Sequence, residues 1–156
     1  MSRSVMQRAV DWGRRSSPWM LRFNTGSCGG CDAELLAALS PRYDLERFGL
    51  QEMGAPRQAD ILVCTGPVTL HNRERLRQVY EQMTEPKFVL AVGTCACGGG
   101  VYSDCYCVCG GVDSVVPVDV YLPGCAVRPE DVAAALQRLL QTWEKAQKSA
   151  DRVEDQ

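Results

Sequence analysis

Apolar and polar positions fall into blocks that predict helices and strands in turn. Val5, Met6, Ala9, Val10 and Trp12, interrupted by Gln7, Arg8, Asp11, Arg14 and Arg15, predict an amphipathic helix over 4–15. Met20–Asn24 reads as a short strand, and Thr25–Gly30 as a glycine-rich turn. A helix over Cys31–Leu39 comes next, stopped by Pro41. Asp44–Leu50 reads as a second strand or extended segment. Asp60–Cys64 and Lys87–Val92 are unbroken apolar strands, with a charged helix, Asn72–Met83, between them. Ser114–Leu122 reads as a further strand, irregular or near an edge because of Pro117. Pro129 suits a first helical position, and Val132–Ala146 is strongly amphipathic. Helices alternating with strands that are apolar on both faces predict a flavodoxin-like α/β domain: a parallel sheet with helices on both faces.

The 156 residues suit one domain, expected over 17–146, after a basic amphipathic segment at 1–16 and before a polar tail at 147–156. A net charge of −2 argues against a general nucleic-acid binder. No apolar run approaches the roughly 20 residues of a membrane span. Arg14-Arg15 is followed by Ser16-Ser17-Pro18 rather than an apolar stretch, so no export signal is expected and the chain is read as staying in the cytoplasm.

Nine cysteines change the picture. An odd count in a chain without a signal points to metal or redox chemistry rather than a disulfide framework. Cys28 follows the first strand, Cys95 the strand Lys87–Val92, and Cys125 the strand ending at Leu122. Sites in open α/β sheets form beyond the carboxyl ends of strands, so three positions far apart in sequence are expected at one edge. Cys31 completes a C-x-x-C pair with Cys28. Four thiolates suit zinc or an iron–sulfur cluster. Single ligands from separate loops and flanking glycines favour the cluster, and a zinc-stabilised interaction module is the alternative. A thioredoxin-like C-x-x-C fits the strand before Cys28 but leaves Cys95 and Cys125 unexplained. Structural cysteine with no ligand fits Cys64.

Three blocks carry a resemblance: Asn24–Glu34, Gly93–Gly100 and Val118–Cys125, supported by 41–49, 65–69 and 110–113. They resemble the cluster-binding blocks of [NiFe]-hydrogenase small subunits and of the 20 kDa-type subunit of respiratory complex I. The C-x-x-C, in place of adjacent cysteines, is similar to the hydrogenase branch. Without an export signal or second domain, the resemblance narrows to the small subunit of membrane-bound, energy-converting hydrogenases. It implies one [4Fe–4S] cluster on Cys28, Cys31, Cys95 and Cys125, nearest a nickel–iron site in a separate large subunit. The implied role is electron relay between a ferredoxin-like iron–sulfur subunit and that large subunit, for proton reduction or hydrogen oxidation. Membrane-arm subunits would be further partners, and the place would be peripheral, on the cytoplasmic face of the cell membrane. A quinone-linked complex I relative is the nearer alternative.

The chain departs from that pattern in two places. Ala126 stands after Cys125 where the family usually has proline, which leaves the ligand itself in place. Cys97, Cys105, Cys107 and Cys109 stand where the family usually has other residues. They are read as incidental thiols, with a second cofactor, a disulfide or redox sensing as alternatives; Cys105, Cys107 and Cys109 share a face only if extended. Glu34, a helical turn beyond Cys31, suits a proton path or interface, and equally a first-turn acid favoured by the helix dipole. Arg128 is expected near the cluster sulfur or the partner. His71, the one histidine, reads as a surface residue. Arg3, Arg8, Arg14, Arg15 and Arg22 against Asp11 form a basic start suited to a membrane subunit.

Overall fold

The computed structural model describes residues 5–154; Arg3 lies outside them, as do the side chains of Arg8 and Arg15. Helix α1 (Val5–Ser16) leads into strand β1 (Trp19–Asn24) and helix α2 (Gly30–Leu39). A two-residue strand, β2 (Gln51–Glu52), precedes the buried β3 (Ile61–Thr65) and the short β4 (Val68–Thr69). Helix α3 (Leu70–Gln82), β5 (Phe88–Val92), a one-turn helix α4 (Thr94–Gly98) and β6 (Val108–Gly110) come next. The chain closes with β7 (Val120–Leu122) and the long α5 (Pro129–Glu154), which runs on into the stretch expected as a polar tail.

Five strands form one parallel sheet in the order β2-β1-β3-β5-β7, with β4 and β6 pairing antiparallel to one side. Counting only the strands of the large sheet, this is the doubly wound order 2-1-3-4-5, the flavodoxin-like arrangement expected from the sequence. Two-residue periodicity splits each strand between two cores. Met20, Ile61, Val63, Leu90 and Val92 face Leu35 and Ala38 of α2 and Val132, Leu136 and Leu139 of α5. Leu21, Leu62, Cys64, Val89 and Ala91 face Leu76 of α3, Ala96 of α4 and Val112. Burial on both faces explains why these strands read as unbroken apolar runs.

Two expectations are corrected. Asp44–Leu50 is a 3-10 turn over Leu45–Phe48 rather than a strand. Asp44 adopts a left-handed conformation and its carboxylate accepts from Arg47 N at 3.2 Å, which starts the turn. Ser114–Leu122 forms a strand only over Val120–Leu122, because Val112–Ser114 is a 3-10 turn and Pro117 interrupts the stretch between them. The basic start is not a free cationic face where it is described. Arg14 pairs with buried Asp60 at 2.6 Å, and Arg22 pairs with Glu52 at 3.0 Å. Arg22 also lies 4.0 Å from Asp32. Met6, Val10 and Trp12 of α1 are exposed.

Candidate metal centre

β1, β3, β5 and β7 all end at one edge, and the order reverses between β1 and β3. Chain leaving β1 at this switch point forms the turn that carries Cys28, and α2 begins with Cys31 in its first turn. Cys95 lies in α4 directly after β5, and Cys125 follows β7.

The β1–α2 turn is held by side chains that compete for its free backbone donors. Asn24 Oδ1 accepts from Gly26 N at 2.9 Å and Ser27 N at 2.8 Å. Ser27 Oγ accepts from Gly29 N at 3.1 Å. Both side chains then meet Asp32, which is 8% exposed. Its carboxylate accepts from Asn24 Nδ2, from Ser27 Oγ at 2.7 Å and from Thr65 Oγ1 at 2.7 Å. Asp32 thereby joins the cysteine turn to the end of β3. Sequence reasoning weighed Glu34 and passed over Asp32; the available signal was an acid directly after the second cysteine, inside the first helical turn. Replacing Asp32 by asparagine keeps the shape but aims an N–H₂ at groups already donating. Hydrogen bonds to a charged group contribute about 1.5–3 kcal/mol each, so an expected loss of about 2 kcal/mol should appear as a lower denaturation midpoint at unchanged slope.

The loops carrying Cys95 and Cys125 are laced together. Gly93 N donates to Leu122 O at 2.8 Å and Thr94 N to Gly124 O at 2.9 Å, while Gly124 N donates back to Thr94 Oγ1 at 3.2 Å. All four thiols are free and lie close enough to act on one another. Burial raises the Cys31 thiol above its ordinary pKa, and the neighbouring Cys28, Cys125 and Asp32 raise it further. Burial likewise raises Cys95, with Cys125, Cys28 and Cys31 adding to the shift. The backbone at Val127 and at Val101 opposes these shifts for Cys31 and Cys95. Metal binding reverses the balance, since a coordinated thiol loses its proton.

The donor set fits an iron–sulfur cluster. Four free, soft sulfurs brought to one sheet edge are the chemistry such clusters require. A tetrahedral zinc draws its sulfurs to about 2.3 Å from one ion, whereas a cluster offers a separate iron to each thiolate. Gly93 leaves the space this needs. It has φ +92°, and a Cβ there would lie 2.7 Å from Cys31 Sγ.

Glu34 is half-buried on α2, Arg128 is exposed at the start of α5, and His71 is exposed in the first turn of α3. Cys64 is fully buried in β3, and burial pushes its thiol up. Cys97 lies near Cys31 and Cys95, but its thiol turns back to Ala91 O at 3.8 Å. Cys109 is in β6, whereas Cys105 and Cys107 are exposed in the turn before it. The three do not share one extended face.

Comparison with known proteins brings these features together. The family model described as NADH ubiquinone oxidoreductase, 20 Kd subunit, matches residues 28–139. A probable membrane-bound hydrogenase subunit, mbhJ, of Pyrococcus furiosus is 50% identical over 127 residues, covering 79% of this chain and 76% of the relative. An NADH-quinone oxidoreductase subunit of Aliarcobacter butzleri is 40% identical over 151 residues, covering 96% of this chain and 86% of the relative. Among solved structures, a chain of the membrane-bound sulfane sulfur reductase, an archaeal respiratory membrane complex, superimposes with a TM-score of 0.77 at 38% identity. That match covers 88% of this chain and 76% of the other.

Proposed function

The chain belongs to the NADH ubiquinone oxidoreductase 20 kDa subunit family, and on that premise we propose that it is the electron-transfer subunit of a membrane-bound hydrogenase, holding one [4Fe–4S] cluster on Cys28, Cys31, Cys95 and Cys125. The observation that carries the reading is the convergence of those four free thiols at one sheet edge, each near enough to perturb another. A bound cluster supplies one-electron redox chemistry. The protein's part is to place the thiolates, donate backbone hydrogen bonds to sulfur and fix the loops. Asp32 steadies the Cys28–Cys31 turn, and the β5–β7 lacing steadies Cys95 and Cys125.

Cys28 and Cys125 are exposed, so this edge calls for a covering partner. We assign that role to a nickel–iron large subunit, with Glu34 and Arg128 at or near the interface and a ferredoxin-like subunit as the other electron partner. Among the described residues no helix is long and apolar enough to cross a membrane. Attachment at the cytoplasmic face would therefore run through membrane-arm subunits, for which the exposed Met6, Val10 and Trp12 of α1 offer an apolar surface. The expected units are the segment 1–16, the cluster domain 17–146 and the tail 147–156.

A second reading, an iron–sulfur subunit of a quinone-linked complex, is favoured by the wider span of the match to the Aliarcobacter butzleri relative. Anaerobic purification of the intact complex separates the two. Nickel in the accompanying large subunit is expected for the first reading. A large subunit without nickel would transfer the assignment to the second, and stoichiometric zinc without acid-labile sulfide would overturn both.

A further inference from the structure

Five cysteines lie outside the proposed cluster, and they are not equivalent. Cys64 is fully buried, and Cys97 and Cys109 are half-buried against the core on the α3 face. Only Cys105 and Cys107 are exposed. They flank Tyr106 in a tight turn fixed by backbone bonds. Cys105 N donates to Tyr102 O at 3.0 Å, Val108 N to Cys105 O at 3.0 Å, and Leu70 N to Cys107 O at 2.9 Å. Cys105 and Cys107 are thus positions i and i+2 of a hydrogen-bonded turn. Such a turn spans less than about 7 Å from end to end, and disulfides bridge Cα atoms about 4.4–6.8 Å apart.

Both thiols line one cleft of about 270 Å³, together with Ser27, Cys28, Thr69 and Tyr102. At about 270 Å³ it lies just under the roughly 300–1,000 Å³ of sites for drug-sized ligands, so it suits part of a small molecule rather than a protein segment. We propose that Cys105 and Cys107 form a thiol–disulfide exchange site whose substrate is a low-molecular-weight disulfide bound in this cleft. One thiolate attacks a sulfur of the small disulfide. That S–S bond breaks, a mixed disulfide forms, and the departing thiolate takes up a proton. The second protein thiolate attacks the mixed disulfide and releases the other small thiol. The protein pair is oxidised by two electrons, the small disulfide is reduced by two, and the two protein thiol protons end on the two released thiols. Exposed disulfides in reducing compartments are the labile, regulatory or catalytic ones.

The test uses the complex, purified anaerobically and equilibrated in glutathione buffers from fully reduced to fully oxidised. Samples are quenched with iodoacetamide and cleaved ahead of aspartate. Mass spectrometry then reads the peptide 104–112, which holds Cys105, Cys107 and Cys109. Three alkyl groups are expected under reducing conditions, and one, located on Cys109, under oxidising conditions. Cys105→Ser should instead trap glutathione on Cys107. Three alkyl groups at every poise, a bridge that includes Cys109, or thiols closed to alkylation in the reduced complex would each overturn the proposal. The EPR signal of the same samples reads the four-thiolate assignment separately.

Discussion

Cys95→Ala is expected to empty the centre: iron and acid-labile sulfide should fall from about four of each per chain to near zero, and the cluster's EPR signal should vanish. Cys95 is the one proposed ligand carried by the loop after β5. The short α4 holds its own turn, with Gly99 N donating to Cys95 O at 2.8 Å, so no neighbouring thiol can swing into its place without unwinding it. Cys97 is nearest in sequence, but its thiol faces Ala91 O on the core side. Serine at Cys97, Cys105, Cys107 and Cys109 together should leave iron, sulfide and the EPR signal unchanged. Cys95→Ala with full iron content, or the quadruple serine variant without a cluster, would reassign the ligands.

Gly66→Ala should give a large loss of stability without touching a proposed ligand. Gly66 sits at φ +85° where β3 ends, against the turn that carries Cys28. A Cβ there would enter the van der Waals envelope of Ser27 N and Cα and come to 2.6 Å from Ser27 Cβ. Two of the three colliding atoms are backbone, and the turn is tied by Thr25 Oγ1 donating to Gly66 O at 2.6 Å, so neither side yields cheaply. A left-handed conformation costs a non-glycine residue about 1–2 kcal/mol before the collision is counted. A total of roughly 3 kcal/mol is expected, which lowers Tm by about 10 °C in a chain of this size. Thermal unfolding of the complex, followed through this subunit's cluster absorbance, measures it; an unchanged Tm would mean that the turn moves freely.

The sheet was legible because burial on both faces writes itself into sequence as unbroken apolar runs, as in Ile61–Thr65 and Phe88–Val92. The same signal misled at Val115, Val116 and Val118. These are apolar for packing, yet only Val120–Leu122 extends into ladder pairing with β5. At Asp44–Leu50 the deciding feature was the side-chain bond from Asp44 to its own turn, which no apolar pattern shows. Candidate ligands were legible because strand ends locate them. Asp32 was not, since its role exists only once Thr65, at the end of β3, meets the turn that holds Asn24 and Ser27. The exposed thiols were visible in sequence, but their shared cleft depends on a turn that no alternation pattern encodes.

The clasp between Arg14 and Asp60 decides where this chain can be trimmed. Asp60 is 3% exposed; one oxygen receives Arg14 Nε at 2.6 Å and the other receives Trp19 N at 3.0 Å. Arg14 also donates to Glu85 O at 3.0 Å, so the last turn of α1 grips the amino ends of β1 and β3 and the lead into β5. A truncation that removes residues 1–15 to probe attachment would also leave a buried carboxylate without its cation, a defect of about 3–5 kcal/mol. Its phenotype would then mix lost docking with a loosened sheet. Cutting after residue 12 removes Met6, Val10 and Trp12 and keeps the clasp, so the useful end of a shortened protein is Gly13, inside the helix rather than at its border.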